Sequence, residues 1–165
     1  MNLLTHFKNS IILSLLSVLA LTATTAGASH NLPFRLGDEG TITFTGPTTA
    51  TTAGTGNATH MGRIMSDGNL TIVGQVSCNG NEVGFAAEMQ DTFTAANGDK
   101  VMTAITMQLC PIAPGIYHGI GTYVVTGGTG RFASATGSGV FDGTGNFNTG
   151  TIICALSGII SINHH

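Results

Sequence analysis

Asn97-Gly98-Asp99 stands between two long alternating stretches, Glu82–Ala96 (EVGFAAEMQDTFTAA) and Lys100–Cys110 (KVMTAITMQLC). Asn and Gly tolerate the positive φ that a tight hairpin turn demands. An Asn-Gly pair between alternating runs is the strongest short-range hairpin signal a sequence offers. In the second run, Val101, Thr103, Ile105, Met107 and Leu109 make one largely apolar face, while Met102, Ala104, Thr106 and Gln108 make a more mixed one. That is the pattern of a strand with one side buried.

Further strands follow on either side. Thr41–Thr45 alternates, and strand-like stretches recur at Ala58–Met65, Asn69–Cys78, Ile116–Thr126, Phe132–Asp142 and Thr151–Ser161. Ser66-Asp67-Gly68-Asn69, Asn79-Gly80-Asn81 and Asp142-Gly143 read as turns between them. Ser29–Gly40 reads as a polar lead-in. Gly46–Asn57 (GPTTATTAGTGN) has no large side chain and reads as a flexible loop at one mouth. About eight short strands predict an all-β protein, a single closed antiparallel barrel with little or no helix. Closure removes both exposed sheet edges. A two-sheet sandwich is the alternative that the same pattern allows.

The N-terminus has the layout of a secretory signal peptide. Lys8 gives a positive n-region, Ile11–Leu21 is an apolar run too short to span a bilayer, and Ala26-Gly27-Ala28 supplies a small-residue cleavage site. Cleavage after Ala28 removes 28 of 165 residues and leaves 137, enough for one domain, residues 29–165. The expected location is therefore secreted or periplasmic, with no membrane span in the mature chain. Of the five basic residues Lys8 leaves with the leader, so four face eight acidic ones. A net charge near −4 argues against nucleic acid as a partner. The mature chain is rich in Gly and Thr and lacks Trp, which favours strands and tight turns over helices.

The most distinctive stretch is Val124–Gly137 (VVTGGTGRFASATG). A dinucleotide-binding loop would need to open a helix inside a βαβ unit. Here Ala133 replaces the third glycine, Gly137 and Gly139 would interrupt that helix, and the chain ends within 30 residues of Ala135. The stretch instead resembles the GGTG-x-F-x-x-A-x-G signature of plant dirigent proteins and allene oxide cyclases, matched by Gly127, Gly128, Thr129, Gly130, Phe132, Ala135 and Gly137. A Thr59-His60-Met61-Gly62-Arg63 segment and the Ala95–Asp99 turn look like those of bacterial allene-oxide-cyclase-barrel-like proteins. The resemblance implies an eight-stranded antiparallel barrel, often trimeric in the plant families, and no cofactor. The plant families' catalytic residues lie outside this signature, and no position here matches them one by one. In physical terms Gly127, Gly128 and Gly130 permit a tight turn that delivers Phe132 to the core. Ala133, Ala135, Gly137 and Gly139 leave a nearly bare face that another backbone can approach.

Four polar or aromatic residues are the candidates for orienting a ligand: His60, Arg63, Tyr117 and His118. His60 and Arg63 together would suit an anionic head group. His118 alternates with Ile116, Ile120, Thr122 and Val124, a core-like face, and would be the best general base if it faced the lumen. Against these stand structural histidines and a capping arginine. Glu88 and Asp91 have opposite parity in a regular strand and so form no carboxylate pair. Arg131 falls inside the glycine turn, where tying down carbonyls is its expected work. His164 and His165 read as a solvated tail.

Cys78, Cys110 and Cys154 remain after the leader, at spacings unlike those of a zinc site, so no metal is expected. If Asn69–Cys78 runs up, Lys100–Cys110 runs up too, and both cysteines finish at one rim with a strand between them. Two strand spacings are about 9.6 Å, whereas a disulfide needs Cα atoms within roughly 7 Å, so a Cys78–Cys110 bridge requires the rim to bend. Cys154, in an apolar strand, is expected as a buried free thiol.

Three functions fit this chain. The first is an exported barrel that binds a small apolar molecule or serves as a non-catalytic accessory protein. The second, by resemblance, is a cofactor-free cyclase or isomerase. The third is a structural or interaction module, with which the Thr-rich stretch Gly46–Asn57 and the low charge are compatible; separately, the resemblance implies a homo-oligomer, a trimer. Lumen volume separates them, since a filled barrel has no room for ligand or substrate.

Overall fold

The computed structural model describes residues 30–162. Eight strands follow in chain order: β1 His30–Phe44, β2 Thr49–Ala58, β3 Gly62–Ser77, β4 Val83–Ala95, β5 Lys100–Ala113, β6 Ile116–Gly128, β7 Thr136–Asn146 and β8 Thr151–Ile162. Each pairs antiparallel with its sequence neighbours, and β1 pairs with β8 to close the barrel. Two single 3-10 turns, Asn79–Asn81 and Gly130–Phe132, are the only helical elements among the described residues. The proposed leader and the two terminal histidines lie outside them.

Alternate residues of every strand point inward. Phe34, Leu36, Ile64, Leu70, Met89, Phe93, Val101, Ile105, Met107, Leu109, Tyr123, Phe141, Leu156 and Ile160 fill the interior. Exposed threonines supply much of the outer surface of β1 and β2, at Thr41, Thr43, Thr51 and Thr55.

The strand count agrees with the sequence reading, but the partition differs in four places. Ser29–Gly40 is not a lead-in: from His30 onward it is the first part of β1, paired with β8 throughout and with β2 from Leu36, with Leu32, Phe34 and Leu36 turned toward the core. Gly46–Asn57 is not a loop, because Thr49–Ala58 forms β2. Its inward residues, Ala50, Thr52, Gly54, Gly56 and Ala58, are small, so the alternation carries no large side chain to betray it.

Ser66-Asp67-Gly68-Asn69 is not a turn but the middle of β3, which merges the two stretches read there as separate strands. The reversal comes earlier, at Thr59–Met61, where His60 takes φ 66. Asp142-Gly143 likewise lies inside β7. That strand turns at Phe147–Gly150, where the Asn146 side chain accepts from the amides of Asn148 and Thr149. Gly and Asp inside strands mimic turn chemistry when the space they leave is used by a facing side chain, as at positions 66–68 below.

Candidate functional site

The glycine signature builds one rim. Gly128 packs against the Lys100 carbonyl, where a side chain would not fit, and the turn that follows buries Phe132 completely. Arg131 sits over the Phe132 ring, its guanidinium 4.9 Å from the centroid. It also pairs with Asp99 of the β4–β5 turn (Nε to Oδ2, 3.6 Å) and donates to the His60 carbonyl in the β2–β3 turn. Three hairpin ends are thus clasped together. On the bare face that follows, the Tyr123 ring lies over Gly139 and Gly158, the three residues forming one row across β6, β7 and β8.

The opposite rim is sealed by aromatic rings and a disulfide. Tyr117 stacks on Phe147 (4.9 Å between centroids), which meets Phe44 edge-on at 5.1 Å, while Phe85 packs against Tyr117 at 5.8 Å. Cys78 and Cys110 form a disulfide with Cα atoms 5.7 Å apart. It crosses from the end of β3 to β5 over Gly84 of β4, whose missing side chain leaves the space for the Cys78 sulfur. Cys154 is free and faces inward from β8.

The four ligand candidates do not converge. His60 is exposed in its turn, with Nε2 3.0 Å from the Pro33 carbonyl. Arg63 is exposed at the start of β3 and lines an open groove on the outer wall, shared with Glu39, Thr55, Asn57 and Met65. Tyr117 belongs to the aromatic seal. His118 does not share a core face: Ile120, Thr122 and Val124 are exposed, and the core face of β6 is Tyr117, Gly119, Gly121, Tyr123 and Val125. The two glycines hid that face, because their lack of side chain makes room for Met107 and Phe141 rather than filling the lumen themselves. His118 pairs with Asp142 on the outside, Nε2 to Oδ1 3.2 Å.

Two carboxyl groups that sequence reasoning did not bring together do share the interior. Asp38 of β1 accepts from the Ser66 hydroxyl of β3 at 2.6 Å. Asp91 of β4 is 8 % exposed and pairs in register with Gly68 on one side and Thr103 on the other. Gly54 and Gly68 leave the volume that the two carboxyls and the Thr52 and Ser66 hydroxyls occupy. Burial first, and then the charge of Asp38, pushes the Asp91 carboxyl up to about 7, with Thr52 opposing. Burial raises Asp38 as well, against its bond to Ser66. The Cys154 thiol is raised by burial and by both carboxylates. Asp38 was hidden in a stretch read as a lead-in, and Asp91 was weighed only against its chain neighbour Glu88. The inward parity of β1 would have revealed the pair.

The lumen itself is filled. The void beneath the aromatic seal, lined by Met89, Met107, Phe141, Ile152 and Cys154 among others, measures about 30 Å³, room for about two water molecules. The outer wall of β5–β8 is unusual in the other direction: Met102, Ile120, Val124, Val140, Ile153 and Ile159 all stand exposed on it. Val140 lies beside Thr122 and Ser157 in register, with Ile120, Val124 and Ile159 on the diagonals. Among the described residues no cluster of three or more His, Cys, Asp or Glu side chains is placed to hold a metal, and no helix is long and apolar enough to cross a membrane.

Fold and site together define a closed eight-stranded antiparallel barrel with a packed lumen and an apolar outer wall. No family model and no curated protein matches the sequence. A solved structure of a pterocarpan synthase dirigent protein is similar, at 13 % identity over 90 % of this chain and 99 % of that one, with a TM-score of 0.49.

Proposed function

We propose that this protein is an exported, non-catalytic accessory barrel that works through its outer wall, associating there with further copies of itself. The observation that carries this reading is the contrast between the two sides of β5–β8. Inside, large side chains leave about 30 Å³. Outside, six large apolar side chains are presented to solvent on one four-stranded face. To hold a drug-sized ligand or a cyclase substrate, the lumen would need a cavity of about 300 Å³ or more, ten times what this void offers.

A second copy of the chain is the occupant that the wall fits. Among the described residues the interior of this face carries one charged side chain, Asp142, which is already paired with His118. Arg35 and Glu39 of β1 mark its edge beyond β8, being in register with Ser157 and Ile153. A centre whose one charge is already paired, set inside a charged margin, suits a buried interface. A closed barrel also has no sheet edge to lend, so association must use a face. Export accords with the leader-like N-terminus and with the Cys78–Cys110 bridge, which persists in oxidising compartments.

Light scattering on the mature chain tests the reading. The wild type is expected at a multiple of the monomer mass, and Val140→Glu, at the centre of the wall, is expected at the monomer mass. A wild type that is monomeric at all concentrations overturns the proposal.

A further inference from the structure

Among the described side chains, the barrel interior holds two carboxyl groups and no base. Arg35, Arg63, Lys100, Arg131 and His60 are all exposed, and His118 points outward. Asp91 faces the charge of Asp38 from β1, the Thr52 hydroxyl from β2, Thr103 in register on β5 and the Cys154 thiol from β8, while the Ser66 hydroxyl of β3 bonds Asp38. β6 adds the buried Tyr123 hydroxyl, and the inward residues of β7 near Cys154, Phe141 and Gly143, add no charge. The Thr103 hydroxyl is 2 % exposed, lies in register with Asp91 and has no hydrogen-bond partner. Two ionised carboxylates cannot be kept in such surroundings without a compensating positive charge.

We propose that Asp38 and Asp91 hold a single proton as a latch on the lumen, and that its loss to solvent opens the barrel interior to water. In the latched state Ser66 donates to the Asp38 carboxylate, and the Thr52 hydroxyl donates to the carbonyl oxygen of the protonated Asp91 carboxyl. When the Asp91 O–H bond breaks, the proton passes to bulk water and two like charges remain in an apolar lumen. Hydrating them requires the strands that carry them to part. Gly54 and Gly68 fit this device, since they give both carboxyls a place inside a wall that is otherwise closed.

The sign follows from linkage. The folded pKa of Asp91, about 7, lies above its ordinary value of 3.8, so the fold binds more protons than the unfolded chain between those limits. The stabilisation is complete below about pH 4 and is lost as pH rises to about 7, with the folding equilibrium constant falling about tenfold per pH unit. Denaturant titrations from pH 4 to 8 are expected to show the full fall in the wild type and a smaller one, from Asp38 alone, in Asp91→Asn. A variant that keeps the wild-type slope overturns the latch.

Should Asp91→Asn not fold, infrared spectra of the wild type serve alone. A protonated-carboxyl band that survives at pH 6 and disappears with a midpoint near 7 is expected, and its absence at pH 6 overturns the proposal. Opening is read from hydrogen exchange at the Asp91 and Thr103 amides, corrected for intrinsic rates. Protection is expected to fall above pH 7, and constant protection would show that the lumen does not open.

Discussion

Asp91 occupies the space that a side chain at Gly68 would fill: the two residues are in register on β4 and β3, and a β-carbon at 68 would run into the Asp91 carboxyl and the Thr52 hydroxyl. Both partners in that contact are buried, so neither can move into solvent without opening the wall.

Gly68→Ala is therefore expected to cost about 1–3 kcal/mol, the usual range for overfilling a packed interior. Replacing Asp91 by Ala in the same chain should recover part of that loss, because the two substitutions share one volume. Denaturant midpoints of the two single variants and the double variant measure it. Strict additivity would show that the contact is not what makes Gly68 necessary.

A different glycine governs the disulfide. The Cys78–Cys110 bridge spans β4 only because Gly84 lies beneath it, and Gly84→Val is expected to leave both thiols reduced. With the cysteines 32 positions apart in sequence, losing the bridge should cost about 3–4 kcal/mol through the loop-closure entropy of the unfolded chain. Thiol titration in denaturant is expected to count one free thiol in the wild type, Cys154, and three in the variant.

Tyr123 is 1 % exposed and its hydroxyl has no hydrogen-bond partner, while burial raises its pKa. Removing an unsatisfied buried hydroxyl while keeping the ring over Gly139 and Gly158 removes a desolvation cost. Tyr123→Phe is expected to be neutral or more stable by up to about 1 kcal/mol. A loss of that size instead would mean that the hydroxyl is satisfied in solution.

Strands with large inward residues were legible in the sequence, and those with small ones were not. β5 declares itself through Val101, Ile105, Met107 and Leu109, and Asn97-Gly98 marks its hairpin. β2 offers Ala50, Thr52, Gly54 and Gly56 inward, so its alternation is between small and slightly larger residues that hydropathy does not separate. Gly68 and Gly143 look like turn residues because a glycine gives no local sign of whether it supplies conformational freedom or room. Here it supplies room, for a carboxyl at 68 and for the Phe141 ring at 143. His118 was placed on the wrong face for the same reason, since the true core face of β6 contains Gly119 and Gly121. Asp38 and Asp91 could be paired only once β1 was known to begin at His30. The apolar outer wall was invisible because alternation alone does not say which apolar residues fail to be buried.

The central claim, that the outer wall of β5–β8 is the working surface, is tested most directly by methyl NMR with a water-soluble paramagnetic agent. In the assembled wild type the methyls of Ile120, Val124 and Val140 should be as protected as those of buried Val101, while exposed Val73 of β3 and Val83 of β4 are broadened away. If Ile120, Val124 and Val140 broaden as fast as Val73 and Val83, the wall faces solvent and the account is wrong.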